Sequence, residues 1–183
     1  MSLKYILLGF LSYGPQTGYD LKKHMDNSTQ FFWHAELSQI YPTLKELAKQ
    51  KLVEAEVIPQ EGKPNKKIYF ITEAGHVMLM DWLAEPVNEL PLTKEPTLLK
   101  LFFSGALEKE ALLEQLRCLL ILHRTQLDQY QQETKVYIEQ VVAETGIIRE
   151  SVLWELARQF GEGHELSCIR WLEKVIETVE QKL

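Results

Sequence analysis

Apolar residues recur at helical spacing three times in the first 52 residues, and the spacing then changes. They fall every three or four positions over 6–11, 18–27 and 37–52, as on one face of a helix. In the second stretch either Tyr19 or Leu21 is expected to point inward together with Met25. Residues 52–58 alternate, and residues 67–71 are β-branched and aromatic, which is typical of strands. The pattern predicts three helices followed by two strands.

Polar residues at the expected helix starts indicate where these helices begin. Thr17 is placed to cap the second helix, with Asp20 three residues later as its capping-box partner. Ser38 is placed to cap the third helix, with Pro42 near its first turn, where a missing N–H costs least. Thr72 is placed to cap a fourth helix over residues 73–84.

The second half of the chain is predicted to consist mainly of two long helices. Three prolines punctuate residues 86–97, and a short helix over 97–103 follows. Apolar residues then step by threes and fours over 108–144 and again over 149–182, with Gly146 allowing a turn between the two runs. Gly161 and Gly163 weaken the second helix and predict a kink there.

Two long helices cannot close a compact core by themselves, so their apolar stripes need another surface. A two-fold dimer supplies it, and packing within one chain is the alternative. The predicted dimer residues follow the apolar spacing of the two helices: Leu112, Leu116, Leu119, His123, Leu127, Tyr130 and Tyr137 on the first, and Leu156, Leu172, Val175 and Val179 on the second.

The predicted fold class is mainly α with a small β-hairpin wing. Residues 1–85 form a winged helix-turn-helix domain, 86–107 a linker with a short helix, and 108–183 an antiparallel long-helix dimerisation domain. In such a domain the third helix fits the major groove of DNA, while hairpin lysines reach phosphates. The outward face of this helix carries Ser38, Pro42, Lys45 and Lys49, flanked by Gln39, Tyr41 and Glu46.

Charge and composition narrow the function further. The net charge is −6, with 9 Lys against 10 acidic residues in 1–85 and 11 Lys or Arg against 16 acidic residues in 86–183. DNA contact must therefore come from a local patch in the first half. Cys118 and Cys168 lie far apart, and the five histidines show no metal-ligand spacing, so neither a disulfide nor a metal is expected.

An enzyme, a membrane protein and a secreted protein all lack support in the sequence. It has no Gly-rich phosphate loop, nucleophile elbow or metal motif, and no cofactor is expected. The apolar start over 5–11 is too short for a membrane span and lacks a signal-peptide cleavage site. A cytoplasmic location is the expectation.

Several motifs of residues 1–85 closely resemble the PadR family of bacterial transcriptional regulators. They are Ile6-Leu7-Leu8-Gly9-Phe10-Leu11, Gly14-Pro15-Gln16-Thr17-Gly18-Tyr19-Asp20-Leu21, Gln39-Ile40-Tyr41-Pro42-Thr43-Leu44, the wing over 60–67, and Ile71-Thr72-Glu73-Ala74-Gly75. By length and pattern, the tail is similar to the C-terminal domain of the larger PadR subfamily, which includes AphA-type activators. The resemblance implies a homodimer that binds a pseudo-palindromic operator, usually as a repressor, and in some members releases DNA on binding small aromatic compounds.

The sequence predicts three groups of site residues, of which the resemblance supplies the DNA-binding one. The DNA-binding group comprises Thr17, Gly18, Tyr19, Ser38, Gln39, Tyr41, Pro42, Lys45, Lys63, Lys66 and Lys67. The dimerisation group is the one given above, and an effector pocket would involve Phe32, Trp33 and Trp154. Residues 1–85 contain no arginine, so the bidentate Arg–guanine contact is missing and phosphate and shape contacts gain weight.

A second hypothesis is a winged-helix module for protein–protein assembly without DNA binding. The acidic balance of the chain favours it, whereas the lysines of the predicted wing oppose it.

Overall fold

The computed structural model describes residues 3–29, 32–59, 65–89 and 95–183. The chain divides into two compact units, Met1–Leu90 and Pro91–Leu183.

The N-terminal unit combines helices with a small antiparallel sheet. Its elements are α1 (Leu3–Ser12), β1 (Gln16–Thr17), α2 (Gly18–Ser28), α3 (Leu37–Lys49), β2 (Val53–Ile58), β3 (Lys66–Ile71) and α4 (Glu73–Ala84). The strands lie in the order β1-β3-β2, and both pairs are antiparallel. The predicted winged helix-turn-helix order is confirmed, and the structure adds β1 at the edge of the sheet.

One apolar core joins the elements of this unit. Leu7, Leu8 and Leu11 of α1 pack with Leu21 and Met25 of α2, with Ile40, Leu44 and Leu47 of α3, and with Val53 and Tyr69 of the sheet. Leu21 is therefore the inward residue of α2, while Tyr19 is 64% exposed. Outside this set, the rings of Tyr5 and Trp82 stack with their centroids 4.6 Å apart and join α1 to α4.

Two predicted caps are confirmed, and one is wrong. Thr17 accepts a hydrogen bond from the Asp20 N–H, and Thr72 accepts one from the Gly75 N–H, both at 3.1 Å. The third helix begins earlier than predicted, at Leu37, with Glu36 as its N-cap instead of Ser38. Pro42 consequently lies inside α3, where it has no N–H to donate to the carbonyl of Ser38, an exposed residue.

The end of α3 is closed by a turn that requires a left-handed residue. Lys51 has φ of 59°. Its N–H donates to the Ala48 carbonyl, and the Leu52 N–H donates to the Leu47 carbonyl, each at 3.0 Å. This is the Schellman arrangement, in which glycine is the usual residue at the Lys51 position.

The C-terminal unit is a helical hairpin with a short helix beside it. Its elements are α5 (Pro96–Phe102), a 3₁₀ turn (Ser104–Ala106), α6 (Lys109–Gln129), a π-helical turn (Tyr130–Thr134), α7 (Lys135–Thr145) and α8 (Ile148–Lys182). The predicted single helix over 108–144 is thus continuous but contains a π turn that its apolar spacing does not indicate. Gly146 has φ of 70° and ends α7 as predicted.

The apolar positions of α6 and α8 are covered within the chain over part of their length. Leu112, Leu113 and Leu116 of α6 pack with Leu172 and Val179 of α8, and Leu119 and Val175 pack against this cluster. Leu112, Leu116, Leu172 and Val179 are thus already buried within a single chain. Their use in a dimer interface remains a prediction, because the apolar side chains that this unit leaves exposed are different ones.

The π turn is stabilised by a buried arginine of the opposite helix. Arg158 is 8% exposed and donates to the Tyr130 carbonyl at 3.1 Å. It also bonds Glu155 through Nε and Nη2 at 2.8 and 2.7 Å, and Glu162 at 2.9 Å. Because a buried charge is costly without partners, these bonds allow Arg158 to sit inside the hairpin.

Gly161 lets the ring of Tyr130 lie directly against α8. A Cβ at Gly161 would be 2.2 Å from the Tyr130 Cζ, whereas a Cβ at Gly163 would meet nothing within 4 Å. The helix runs unbroken across both glycines. Gly161 thus serves close packing, which the predicted kink did not anticipate.

Candidate nucleic-acid interface

The outward face of α3 is polar and exposed along its first three turns. Ser38, Gln39, Pro42 and Lys45 are all exposed, and Tyr41 is 45% exposed. These are the residues predicted for DNA contact on this helix. The opposite face is buried in the core of the unit, so α3 is anchored on one side and free to contact a partner on the other.

Two of these side chains are already oriented by neighbouring groups. The Oε1 of Gln39 accepts the Glu36 N–H at 3.0 Å, which leaves its amide nitrogen as the donor for a base or a phosphate. The ring of Tyr41 packs on Gly18 of α2, where a Cβ would be 2.6 Å from the Tyr41 Cε1. The motif that contains Gly18 and the motif that contains Tyr41 therefore meet in space, which their sequence separation does not reveal.

The start of α2 is less open to a ligand than predicted. Thr17 is only 9% exposed, and Gly18 is buried under the Tyr41 ring. The Asp20 carboxylate accepts the backbone N–H of Thr17 at 3.2 Å and its hydroxyl at 2.6 Å. Thr17 and Gly18 thus position α2 and Tyr41, and among the three predicted residues Tyr19 is the one whose side chain is available to DNA.

The N-terminus of α2 also carries a negative charge of its own, that of Asp20. Partial burial raises the pKa of Asp20, but the Thr17 hydrogen bonds and the charge of Lys66 outweigh it, so the pKa is lowered. A carboxylate that stays ionised at the helix N-terminus competes with a DNA phosphate for the same positive end of the helix.

The wing is formed by β2 and β3, whose register runs from Val53 opposite Ile71 to Ile58 opposite Lys66. Lys66 and Lys67 are exposed at its distal end. The Lys67 Nζ lies 5.3 Å from the centre of the Tyr69 ring, a cation–π distance. Lys63, the third predicted wing lysine, lies outside the described residues.

The predicted effector residues belong to different units. Trp33 packs against the core of the N-terminal unit, and Phe32 beside it is 62% exposed. Trp154 is half-buried on α8 of the C-terminal unit. The structure does not bring these three together within one unit, and their shared role remains a prediction.

The remaining predicted dimer residues differ in how far the helical hairpin buries them. His123 hydrogen-bonds Glu165 at 2.5 Å, and Leu127 and Tyr137 are half-buried. Tyr130 is buried, and burial followed by the Glu165 charge raises its pKa to about 12. Leu156 alone among the predicted set is strongly exposed, at 56%.

The apolar spacing of α8 predicts a stripe that includes Val152, Leu156 and Phe160, and the structure shows that these three remain exposed, with Ile148 and Leu153 beside them. Five exposed apolar residues lie on one side of the first half of α8: Ile148, Val152, Leu153, Leu156 and Phe160. At 100° per residue they span a sector of about 140°. We call this set the α8 stripe. Its helical spacing can be read from the sequence, whereas its exposure is a result of the fold.

Within the described ranges, neither a metal site nor a membrane span is found. No group of three or more His, Cys, Asp or Glu residues there is arranged to hold a metal ion. No helix in that part of the chain combines the length and hydropathy needed to cross a bilayer.

Comparisons with known proteins agree with this architecture in both units. Residues 7–81 match the transcriptional regulator PadR-like family, and residues 93–180 match the virulence activator alpha C-terminal family. The probable transcriptional regulator Rv1176c of Mycobacterium tuberculosis is 30% identical over an alignment of 192 residues that spans 100% of both chains.

A Bacillus subtilis protein, the negative transcriptional regulator PadR, is 36% identical over 110 residues, or 59% of each chain. Its crystal structure with operator DNA superimposes with a TM-score of 0.80 at 26% identity, covering 97% of this chain and 98% of that one. Its complex with p-coumaric acid gives a TM-score of 0.75 at 25% identity, covering 97% and 98%.

The Vibrio cholerae virulence activator AphA shares the fold, with a TM-score of 0.74 at 24% identity over 100% of both chains. The classification rests on the 30% identity to Rv1176c over the full length of both chains, together with the family matches in both units. The chain belongs to the PadR-like family of transcriptional regulators.

Proposed function

We propose that this protein is a dimeric transcriptional repressor that binds a pseudo-palindromic operator in double-stranded DNA through α3 and the wing. The observation that carries the proposal is the exposed polar face of α3, held by a buried opposite face and by the Tyr41 ring on Gly18. The operator complex of Bacillus subtilis PadR supports it. Such a regulator acts in the cytoplasm, where the chromosome lies.

The absence of arginine in residues 1–85 shapes how such an interface reads DNA. Gln39 is the α3 side chain suited to bidentate adenine contact, although its Oε1 already accepts the Glu36 N–H. Tyr19, Tyr41 and Lys45 are suited to phosphate contact. Position on the duplex and half-site spacing are therefore expected to contribute more to specificity than guanine readout.

The α8 stripe supports a homodimer joined through the C-terminal unit. Its members are exposed large apolar residues, and Phe160 reaches 79% exposure. Contiguous apolar surface of this kind marks a protein contact. A second copy related by a two-fold axis would cover the stripe and present two α3 helices to the two half-sites.

Modulation by a small aromatic effector is the finer part of the proposal. The p-coumaric acid complex of Bacillus subtilis PadR supports it, and that protein is named a negative regulator. Phe32, Trp33 and Trp154 remain the candidate effector residues. Loss of DNA binding when p-coumaric acid is added at millimolar concentration would support this part, and unchanged binding would refute it for that compound.

The DNA proposal is tested by recovering sheared genomic fragments on the full-length protein, sequencing them, and measuring gel shifts with the recovered duplex. We expect affinity that falls steeply between about 50 and 200 mM salt, because released counterions drive phosphate binding. No enrichment, or binding independent of salt, would refute it and favour the protein–protein assembly module.

The dimer proposal is tested in the full chain by light scattering. The double variant Leu156→Lys with Phe160→Lys is expected to have half the solution mass of the wild-type dimer, because each chain would bring two charges into the buried interface. Val77→Lys is the control, since Val77 is equally apolar and 50% exposed but lies in the other unit. A double variant that keeps the dimer mass would remove the α8 stripe from the interface.

A further inference from the structure

The register of the wing separates its residues into two faces. Directly opposed residues of an antiparallel pair share a face, and faces alternate along each strand. One face carries Val53, Ala55, Val57, Lys67, Tyr69 and Ile71, and we call it the core-side face. The other carries Glu54, Glu56, Ile58, Lys66, Ile68 and Phe70, and we call it the outer face. The two described wing lysines therefore point to opposite sides of the hairpin.

The core-side face lies on the same side of the sheet as α3. Val53 and Tyr69 belong to the apolar core that also contains Ile40 and Leu44 of α3. Beyond the core, Val57 and Lys67 continue the same face into solvent and are exposed. A duplex seated on the outward face of α3 therefore meets the wing from its core-side face.

The charges on the two faces of the wing also favour DNA contact through the core-side face. On the core-side face, the Lys67 Nζ lies over the Tyr69 ring at 5.3 Å, and the other side chains of that face are uncharged. On the outer face, Glu54 and Glu56 are exposed, and Glu56 is the diagonal cross-strand neighbour of Lys66. The outer face therefore carries two carboxylates against one lysine and is net negative, which repels a phosphate backbone, whereas the core-side face carries Lys67 alone and is net positive.

The charge of Lys66 also acts on Asp20, a half-buried carboxylate of α2. Its charge is among the causes that lower the pKa of Asp20, after the hydrogen bonds from Thr17. Asp20 belongs to the capping box that starts α2. The charge of Lys66 is thus offset by carboxylates of the wing and of α2, while the described structure places Lys67 beside an aromatic ring.

We propose that Lys67 is the lysine of the described wing that contacts a DNA phosphate, and that the outer face with Lys66 is turned away from the duplex. This inference rests on the proposed function and revises the sequence prediction that both lysines contact DNA: Lys67 stays in the DNA-binding group and Lys66 leaves it.

The test measures how binding to DNA depends on salt in four full-length proteins: wild type, Lys67→Met, Lys66→Met and Lys67→Arg. Methionine keeps an aliphatic stem and removes only the charge. The probe is a fluorescein-labelled duplex of mixed sequence, about 30 base pairs long, titrated by anisotropy between about 50 and 200 mM salt. Circular dichroism confirms that each variant is folded.

For Lys67→Met we expect the slope of log affinity against log salt to fall by about 0.9 for each protomer on the duplex, which is about 1.8 for the dimer. At 0.1 M salt this corresponds to about eightfold weaker binding per protomer, or about sixtyfold for the dimer. Lys66→Met is expected to leave the slope and the affinity unchanged within about twofold. Lys67→Arg is expected to restore the wild-type slope, because it restores the charge.

A Lys66→Met variant that loses as much slope as Lys67→Met, or that alone loses slope, would overturn the inference. So would a Lys67→Met variant with the wild-type slope. Each of these outcomes leaves the proposed function intact, since wild type still binds. A wild-type protein that does not bind the duplex at low salt would instead refute the proposed function, and the inference with it.

Discussion

Two glycines of α8 are expected to respond in opposite directions to replacement by alanine, although one residue separates them. At Gly161 a Cβ would be 2.2, 2.3 and 2.4 Å from the Cζ, Cε1 and Oη of Tyr130. At Gly163 it would meet nothing within 4 Å. Both lie inside one continuous helix, so the contrast isolates the contact with Tyr130.

The free-energy cost of Gly161→Ala depends on how far the Tyr130 ring can move. Carbon atoms in contact prefer about 3.5–4.0 Å, so the ring must retreat by more than about 1 Å. Tyr130 is 5% exposed, and its carbonyl accepts the Arg158 Nη1 at 3.1 Å, so retreat disturbs a buried charge. Overpacking of this kind costs about 1–3 kcal/mol, and we expect Gly161→Ala to lie near the upper end. Gly163→Ala should instead gain about 0.5–1 kcal/mol from helix propensity.

The assay is thermal unfolding of the full chain by calorimetry at one fixed protein concentration, because association would make the melting temperature concentration-dependent. For a chain of this size, 1 kcal/mol corresponds to about 2–4 °C. We therefore expect Gly161→Ala to melt roughly 5–10 °C lower and Gly163→Ala a few degrees higher than wild type. A calorimetric trace with two transitions would assign the shift to one unit.

A double-mutant cycle decides whether the ring is the cause. In a Tyr130→Ala background the obstacle is gone, so Gly161→Ala should no longer destabilise and the two changes should couple strongly. If Gly161→Ala is as stable as wild type, or equally destabilising in both backgrounds, then the packing of Tyr130 on α8 is not what requires a glycine.

Three further changes test other contacts. Gly18→Ala should weaken DNA binding roughly tenfold by gel shift with little loss of stability, because it displaces the exposed Tyr41 ring rather than core; unchanged affinity would argue against a role for Tyr41. Lys51→Gly should raise the free energy of unfolding in urea by about 1 kcal/mol, since it relieves a left-handed conformation; a loss of stability would contradict this. Hydrogen bonding from Arg158 lowers the pKa of Glu155 to about 2, from 4.5, so its stabilising contribution is present above pH 4.5 and is lost as pH falls toward 2. Glu155→Gln should therefore flatten the acid limb of a pH–stability curve, and an unchanged limb would exclude this pair as its source.

Much of the N-terminal unit follows from local sequence signals. The Thr17–Asp20 capping box, the Thr72 cap and the buried Ile40, Leu44 and Leu47 are each set by residues a few positions apart. Such signals depend on helix geometry alone, so they can be recognised without tertiary information. The outward face of α3 could be predicted for the same reason.

Choices between equivalent local signals needed the fold. Tyr19 and Leu21 both suit the inward position of α2, and packing on the core selects Leu21. The sequence predicts Ser38 as the cap of α3, whereas the helix begins at Leu37 with Glu36 as its N-cap, in a reciprocal capping box with Gln39. The exposure of Tyr19 is a consequence, and it is what makes that residue a candidate for DNA contact.

By itself the sequence determined the order of helices and hairpin, the polar face of α3 and the lysines near the wing, because each depends on periodicity or on neighbours along the chain. Tertiary structure decided which surfaces remain free. It covered Leu112 and Leu172 within one chain while leaving Leu156 exposed, and it turned Lys66 and Lys67 to opposite faces of the wing. It also inserted the π turn at Tyr130, whose carbonyl bonds an arginine 28 residues away. An apolar stripe in the sequence indicates that a surface is to be buried, but only the tertiary structure shows which surface buries it.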